Sequence, residues 1–139
     1  MENQFRVYAL GDDFDVGAFA ATCPLTPSLL WHRDELKRGG AGRYVNSGIA
    51  FELGNGSNMT LCKQQEVAIA FIKSNRDELR RLADFPNVSH FTLGLHDLRT
   101  FRGSSTGFCH TARQSLMWHL LDIGCSLSLY CSIEVAEDN

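Results

Sequence analysis

The chain has 139 residues, 44% of them hydrophobic and 21% charged, with a formal net charge of −3. That length fits a single domain over 1–139 with a core of its own, and the composition is that of an ordinary globular protein. The charge gives no electrostatic reason to expect a nucleic acid or an anionic membrane, and no apolar run approaches the roughly 20 residues that span a bilayer.

The chain opens with a strand over 4–10, in which Phe5, Val7 and Ala9 alternate with Arg6 and Tyr8. Side chains on a strand point to opposite faces in turn, so one face is dry and the other wet. Gly11-Asp12-Asp13 turns the chain and an Asp caps the first helix. On that helix Val16, Phe19, Ala20 and Cys23 are spaced as one buried stripe. Pro24 and Pro27 end it, which leaves 28–32 as a short extended segment. Residues 34–46 are polar and contain Gly39-Gly40-Ala41-Gly42, and are expected to form a mobile loop. Ile49, Phe51 and Leu53 alternate along a strand over 47–53, which stops at the turn signal Gly54-Asn55-Gly56. The pattern leaves open whether 59–62 return as a strand.

A long helix is predicted over 63–83, with Ala68, Phe71, Ile72, Leu79 and Leu82 on its apolar face and Arg76, Asp77, Arg80 and Arg81 in water. Residues 84–87 break it. The next strand covers 89–98, where Phe91, Leu93 and Leu95 alternate with His90, Thr92 and His96, and a polar loop follows over 99–107. Thr111 is expected to cap the last helix. Its stripe is Leu116, Leu120 and Ile123, with Met117 and Leu121 beside it, and Gly124 stops it. The last strand, 126–135, alternates without a break: Leu127, Leu129, Cys131, Ile133 and Val135 one way, Ser126, Ser128, Tyr130, Ser132 and Glu134 the other.

The element order is therefore β-α-β-β-α-β-α-β. It predicts an α+β fold, a ferredoxin-like β-α-β-β-α-β core extended by a C-terminal α-β unit, with a mostly antiparallel sheet and helices on one face. The other face is expected to be open and polar.

A resemblance accompanies this pattern. Gly11-Asp12-Asp13-Phe14-Asp15, then Leu25-x-Pro27-Ser28-x-x-Trp31, then the Ser47-Gly48 strand resemble the opening of the domain-of-unknown-function family 4279. The closing strand, Gly/Ser loop, helix ending in Leu-x-x-x-Gly and alternating strand agree with it. The resemblance implies a fold and supplies no catalytic residues. Some small acidic proteins with such a domain sit beside bacterial toxin genes, so it implies an immunity role by association.

The reaction signatures are weak. Gly103-Ser104-Ser105-Thr106-Gly107 matches G-x-S-x-G, but several loop residues separate it from the strand. His119 also precedes Asp122, which is the wrong order for a hydrolase elbow. His90 and His96 are six strand residues apart, about 20 Å, too far to chelate one metal ion. Cys109-His110 has no second pair at suitable spacing. No catalytic residue, metal or cofactor is assigned. The five cysteines (Cys23, Cys62, Cys109, Cys125, Cys131) are odd in number and lack C-x-x-C spacing. The first residues show neither the basic nor the apolar part of a signal peptide. Reduced thiols and a cytoplasmic location are expected.

The open sheet face gathers Arg6, Tyr8, His90, Thr92, His96, Ser128, Tyr130 and Glu134, a Tyr/His/Arg/Ser mixture of the kind that anchors interfaces. The candidate binding residues are Arg6, Tyr8, Trp31, His90, His96 and Tyr130. The leading function is a non-catalytic protein-interaction module, with an immunity-type inhibitor of a toxin as its narrower form and a protein partner or a homodimer as its complex. A small-ligand-binding regulatory domain is the alternative, and an enzyme ranks third.

Overall fold

A computed structural model of the chain describes residues 5–37, 39–101 and 113–135, of which 98–101 and 131–135 are described through their backbone alone. Among the described residues, five strands and four α-helices follow one another: β1 (Arg6–Gly11), α1 (Val16–Ala21), β2 (Leu29–Trp31), β3 (Ser47–Glu52), α2 (Leu61–Ser74), α3 (Arg76–Ala83), β4 (His90–Phe101), α4 (Gln114–Ile123) and β5 (Ser126–Val135). The strands form one sheet in the order β2-β3-β1-β4-β5. Its first three pairings are antiparallel and the β4–β5 pairing is parallel, so the sheet is mixed. The last pairing has a topological cause. A parallel neighbour needs a crossover, and α4 supplies it.

The strand periodicity places one core. Phe5, Val7, Ala9, Ile49, Phe51, Phe91, Leu93 and Leu95 come from one face of the sheet. They pack with Val16, Phe19, Ala68, Ile72, Leu79, Leu82, Leu116, Leu120 and Ile123 of the helices. Local signals set the helix ends. Asp15 caps α1, its Oδ1 accepting from Ala18 N at 3.0 Å. Gly124 ends α4 with φ +73°, a left-handed conformation that glycine adopts without steric cost.

Several expectations are corrected. The helix predicted over 63–83 is two helices jointed at Asn75, whose φ of −126° leaves the helical region and whose Nδ2 donates to Phe71 O at 2.9 Å. Asn competes for main-chain groups in this way, and a continuous hydrophobic stripe does not register it. Residues 59–62 do not return as a strand; a 3-10 turn, Gly56–Asn58, runs into α2, which Thr60 caps. The loop over 34–46 is tied together by main-chain hydrogen bonds among its described residues. Asp34 N donates to Tyr44 O, Tyr44 N to Glu35 O and Lys37 N to Gly42 O, all within 2.9 Å, and Leu36 and Arg43 form an antiparallel bridge. The cap of α4 is Arg113, and Thr111 lies outside the described residues.

The last correction concerns β5. Its alternation holds, but Leu127 is half-buried and Leu129 is 42% exposed. β5 is the outermost strand, so the helix layer covers its apolar face from one side only. Leu129→Ala is therefore expected to cost less than about 1 kcal/mol, whereas Leu93→Ala, at a fully buried position on β4, costs about 2–5 kcal/mol. Urea unfolding of the two variants checks the contrast. Equal losses would place a covering surface over β5.

Candidate functional site

The side chains on the sheet face away from the helices fall into three groups. At the centre, Tyr8 on β1 and Tyr130 on β5 reach across β4, and their hydroxyls meet at 3.2 Å. The Arg6 guanidinium lies 5.4 Å from the Tyr8 ring centroid, within cation–π reach. Beneath them Thr92 Oγ1 and Ser126 Oγ are hydrogen-bonded at 2.9 Å. Register explains the gathering, since Tyr8 pairs with Thr92, Arg6 with Gly94, and Thr92 with Ser126.

Towards β2, Trp31 lies flat on Gly48. A Cβ there would stand 2.0 Å from the ring, so only glycine lets the indole pack on the strand. Its Nε1 donates to Asn46 Oδ1 at 2.9 Å, and Tyr44 stacks obliquely on it with ring centroids 6.0 Å apart. Beside this loop lies an open cleft of about 590 Å³ whose lining includes Arg6, Trp31, Lys37, Tyr44 and Glu52.

At the opposite end of the sheet sits His96, only 4% exposed, with its Cβ side packed against Gly56. Its Nε2 has no hydrogen-bond partner among the described residues. Its main-chain N–H and C=O are both held by the side chain of Gln64, which donates to His96 O at 2.6 Å and accepts from His96 N at 2.9 Å.

Of the six predicted residues, Arg6, Tyr8 and Tyr130 come together, and Arg6 also joins Trp31 in the cleft. His96 is corrected from open surface to interior, because the 3-10 turn after β3 closes over the strand end. His90 is exposed but stands apart, its Nδ1 near Ser89 Oγ at 3.1 Å. The side chain of Glu134, and all of 102–112 with Cys109, His110 and the Gly103–Gly107 motif, lie outside the described residues. Among the described residues no group of three His, Cys, Asp or Glu is placed to hold a metal ion, and no helix is long and apolar enough to cross a membrane.

A second surface lies on α4, where the sequence reads Trp118 as core or interface. On α4, Trp118 is 72% and Leu121 73% exposed, with Met117 beside them. The signal was present: Met117, Trp118 and Leu121 widen the apolar stripe beyond what a helix buries against one layer. Arg76 Nε donates to Asp122 Oδ2 at 2.5 Å at the margin of this surface, holding the Asp122 carboxyl below its usual range.

Burial raises the alkaline titrations of Cys125 and Tyr8. Burial pushes the Cys125 thiol up to about 12, and burial together with the Tyr130 hydroxyl raises the Tyr8 phenol. Both protonated forms are favoured by folding. Their stabilisation is therefore complete below the unfolded values of 9.0 and 10.0 and is lost as pH rises towards the folded ones. Cys125→Ala is expected to flatten the fall in urea midpoint above pH 9. An unchanged slope would show that the thiol does not couple to folding.

Compared with protein-family models, curated proteins and solved structures, the chain matches none of them.

Proposed function

We propose that this protein is a non-catalytic protein-interaction module that docks through the side of the molecule formed by α4 and β5. One observation carries the reading. Of six exposed large hydrophobic side chains among the described residues, four (Met117, Trp118, Leu121 and Leu129) belong to these two elements. Scattered apolar residues are normal on a surface, but a contiguous group marks a contact site. Trp is also among the residues that dominate interface energetics.

The strand order β2-β3-β1-β4 supports a ferredoxin-like core, with α4 and β5 added at its β4 edge. The resemblance to the domain-of-unknown-function family 4279 supports the narrower form, an immunity-type inhibitor of a bacterial toxin acting in the cytoplasm. Affinity purification of the tagged chain from its native source tests the reading. A partner retained by the wild type and lost from a Trp118→Ser, Leu121→Glu variant is expected. Recovery only as free monomer, together with turnover of a small metabolite, overturns it.

The cleft beside Trp31 favours a second reading, a small-ligand-binding regulatory domain. Two aromatic rings and the cations Arg6 and Lys37 suit a planar anion. The test is Trp31 fluorescence in a Trp118→Phe background, titrated with benzoate, a planar anion that does not emit in the tryptophan band. Saturable quenching that Lys37→Ala weakens would support the reading, and no change would remove it.

A further inference from the structure

We infer that the partner at the β5 side is a second copy of this chain, joined edge to edge through antiparallel β5 strands into one continuous ten-stranded sheet. This rests on the reading of α4 and β5 as the contact surface and adds the identity of the occupant.

Register decides which main-chain groups of β5 lack a partner among the described residues. His96 gives its N–H and C=O to Gln64, away from β5. Successive strand residues turn these groups to opposite sides, so Leu95 and Asp97 turn theirs towards β5. Leu95 stands opposite Leu129 in the parallel register. A residue in a parallel ladder bonds to the two residues flanking its opposite number, here Ser128 and Tyr130. The N–H and C=O groups of Leu127, Leu129 and, by the same alternation, residues 131, 133 and 135 therefore point to the free edge.

That row is self-complementary. An antiparallel copy related by a two-fold axis through residue 131 sets 127 opposite 135, 129 opposite 133, and 131 opposite itself. Every pair then joins two outward-turned residues, as a closed isologous interface requires. The axis is normal to the sheet and keeps both helix layers on the same side.

The helix layer fits the same arrangement. Asp122 is tied to Arg76 of α3 and marks the inner flank of α4. Met117, five residues away, lies about 140° around the helix and so flanks the free edge of the sheet, whereas Leu121 stands between it and the hollow that Trp118 and Leu121 share with Ile72 and Arg76. Leu129 of β5 is exposed as well. Two copies would bring the Met117 and Leu129 side chains together at the seam.

The edge also has few of the devices that keep strands apart. The ten-residue register with β4 runs without a bulge, and Ser126–Val135 carries no proline and one charged residue, Glu134. Long edges with so little charge pair with another strand unless they are covered.

Native mass spectrometry and hydrogen exchange of the full chain test the inference. The expected result is a species of twice the chain mass whose Leu127 and Leu129 amides gain protection with concentration. Ser128 and Tyr130, already bonded to β4, should be protected in monomer and dimer alike. Leu129→Pro removes one outward N–H, which an edge strand tolerates, and should return the chain to monomer mass. Met117→Glu should do the same without touching the strand, which guards against a proline variant that fails to fold. Monomer mass at every soluble concentration overturns the pairing, as does a dimer in which α4 but not Leu127 and Leu129 becomes protected. In the second case the interaction reading stands, and in the first it is decided separately by the purification from the native source.

Discussion

Gln64→Leu should destabilise the protein by about 3–5 kcal/mol, although it replaces a polar side chain in the interior with an apolar one of similar size. Gln64 is fully buried. Its Nε2 reaches His96 O at 2.6 Å, Met59 O at 3.0 Å and Gly56 O at 3.2 Å, while Oε1 accepts from His96 N. The ladder between β1 and β4 runs only from Leu10↔His90 to Arg6↔Gly94, so the Gln64 amide stands in for a strand residue at His96. Leucine would leave the buried His96 groups unpaired, at about 1–3 kcal/mol each, and would also withdraw the donor from the buried Gly56 O and the part-buried Met59 O. Gln64→Glu should be worse as pH rises. Its acid form keeps one donor, whereas its carboxylate would face three carbonyl oxygens in a buried site. The folded pKa of that carboxyl is raised, so stability is lost as pH climbs through the carboxylate range. Urea unfolding of both variants at pH 5 and pH 8 measures these effects. A Leu variant within about 1 kcal/mol of wild type would mean that the His96 backbone finds another partner.

Phe19→Ala should cost a comparable amount, about 3–5 kcal/mol. The Phe19 ring is 1% exposed and packs edge-on to Phe85 at 5.4 Å between centroids, with Phe14 at 6.4 Å. The Arg81 guanidinium of α3 lies 4.3 Å from the ring centroid, so a single side chain of the short helix α1 meets both the core and α3. Alanine forfeits the burial, the edge-to-face contacts and the cation–π contact, and leaves a cavity between elements that cannot collapse freely. Phe19→Leu keeps most of the volume and should cost less than about 1.5 kcal/mol. Thermal unfolding followed by near-ultraviolet circular dichroism separates the two. Equal losses would assign the stabilisation to ring geometry, with little share for volume.

If β5 is joined to a second copy, the surface contrast between Leu93 and Leu129 becomes concentration-dependent. Leu129→Ala would then weaken the assembled form more than the monomer, because the side chain is exposed only where no partner covers it.

The element sequence of this protein is written in its local periodicities. Two-residue alternation marks β1, β3, β4 and β5, and Asp15, the proline pair and Gly124 set helix boundaries through capping and φ. The chemistry of Asn75 and Gln64 is of another kind. Nothing in the hydrophobic pattern says that one amide will divide a helix and another will replace a strand residue, because each acts on main-chain groups that only packing brings within reach. Periodicity also assigns a face to each side chain without saying what lies above it. His96 and Leu129 were both misjudged for that reason: a turn from after β3 closes over the first, and the edge position of β5 uncovers the second. Tyr8 and Tyr130, 122 residues apart, needed only the strand order to meet. Their faces followed from the sequence, their contact from β4 standing between them. The exposed ridge of Trp118 and Leu121 shows the same division. Sequence supplies more apolar side chains than one helix face can bury, and the tertiary structure decides which of them remain outside, since α2, α3 and the sheet cover α4 from the other sides.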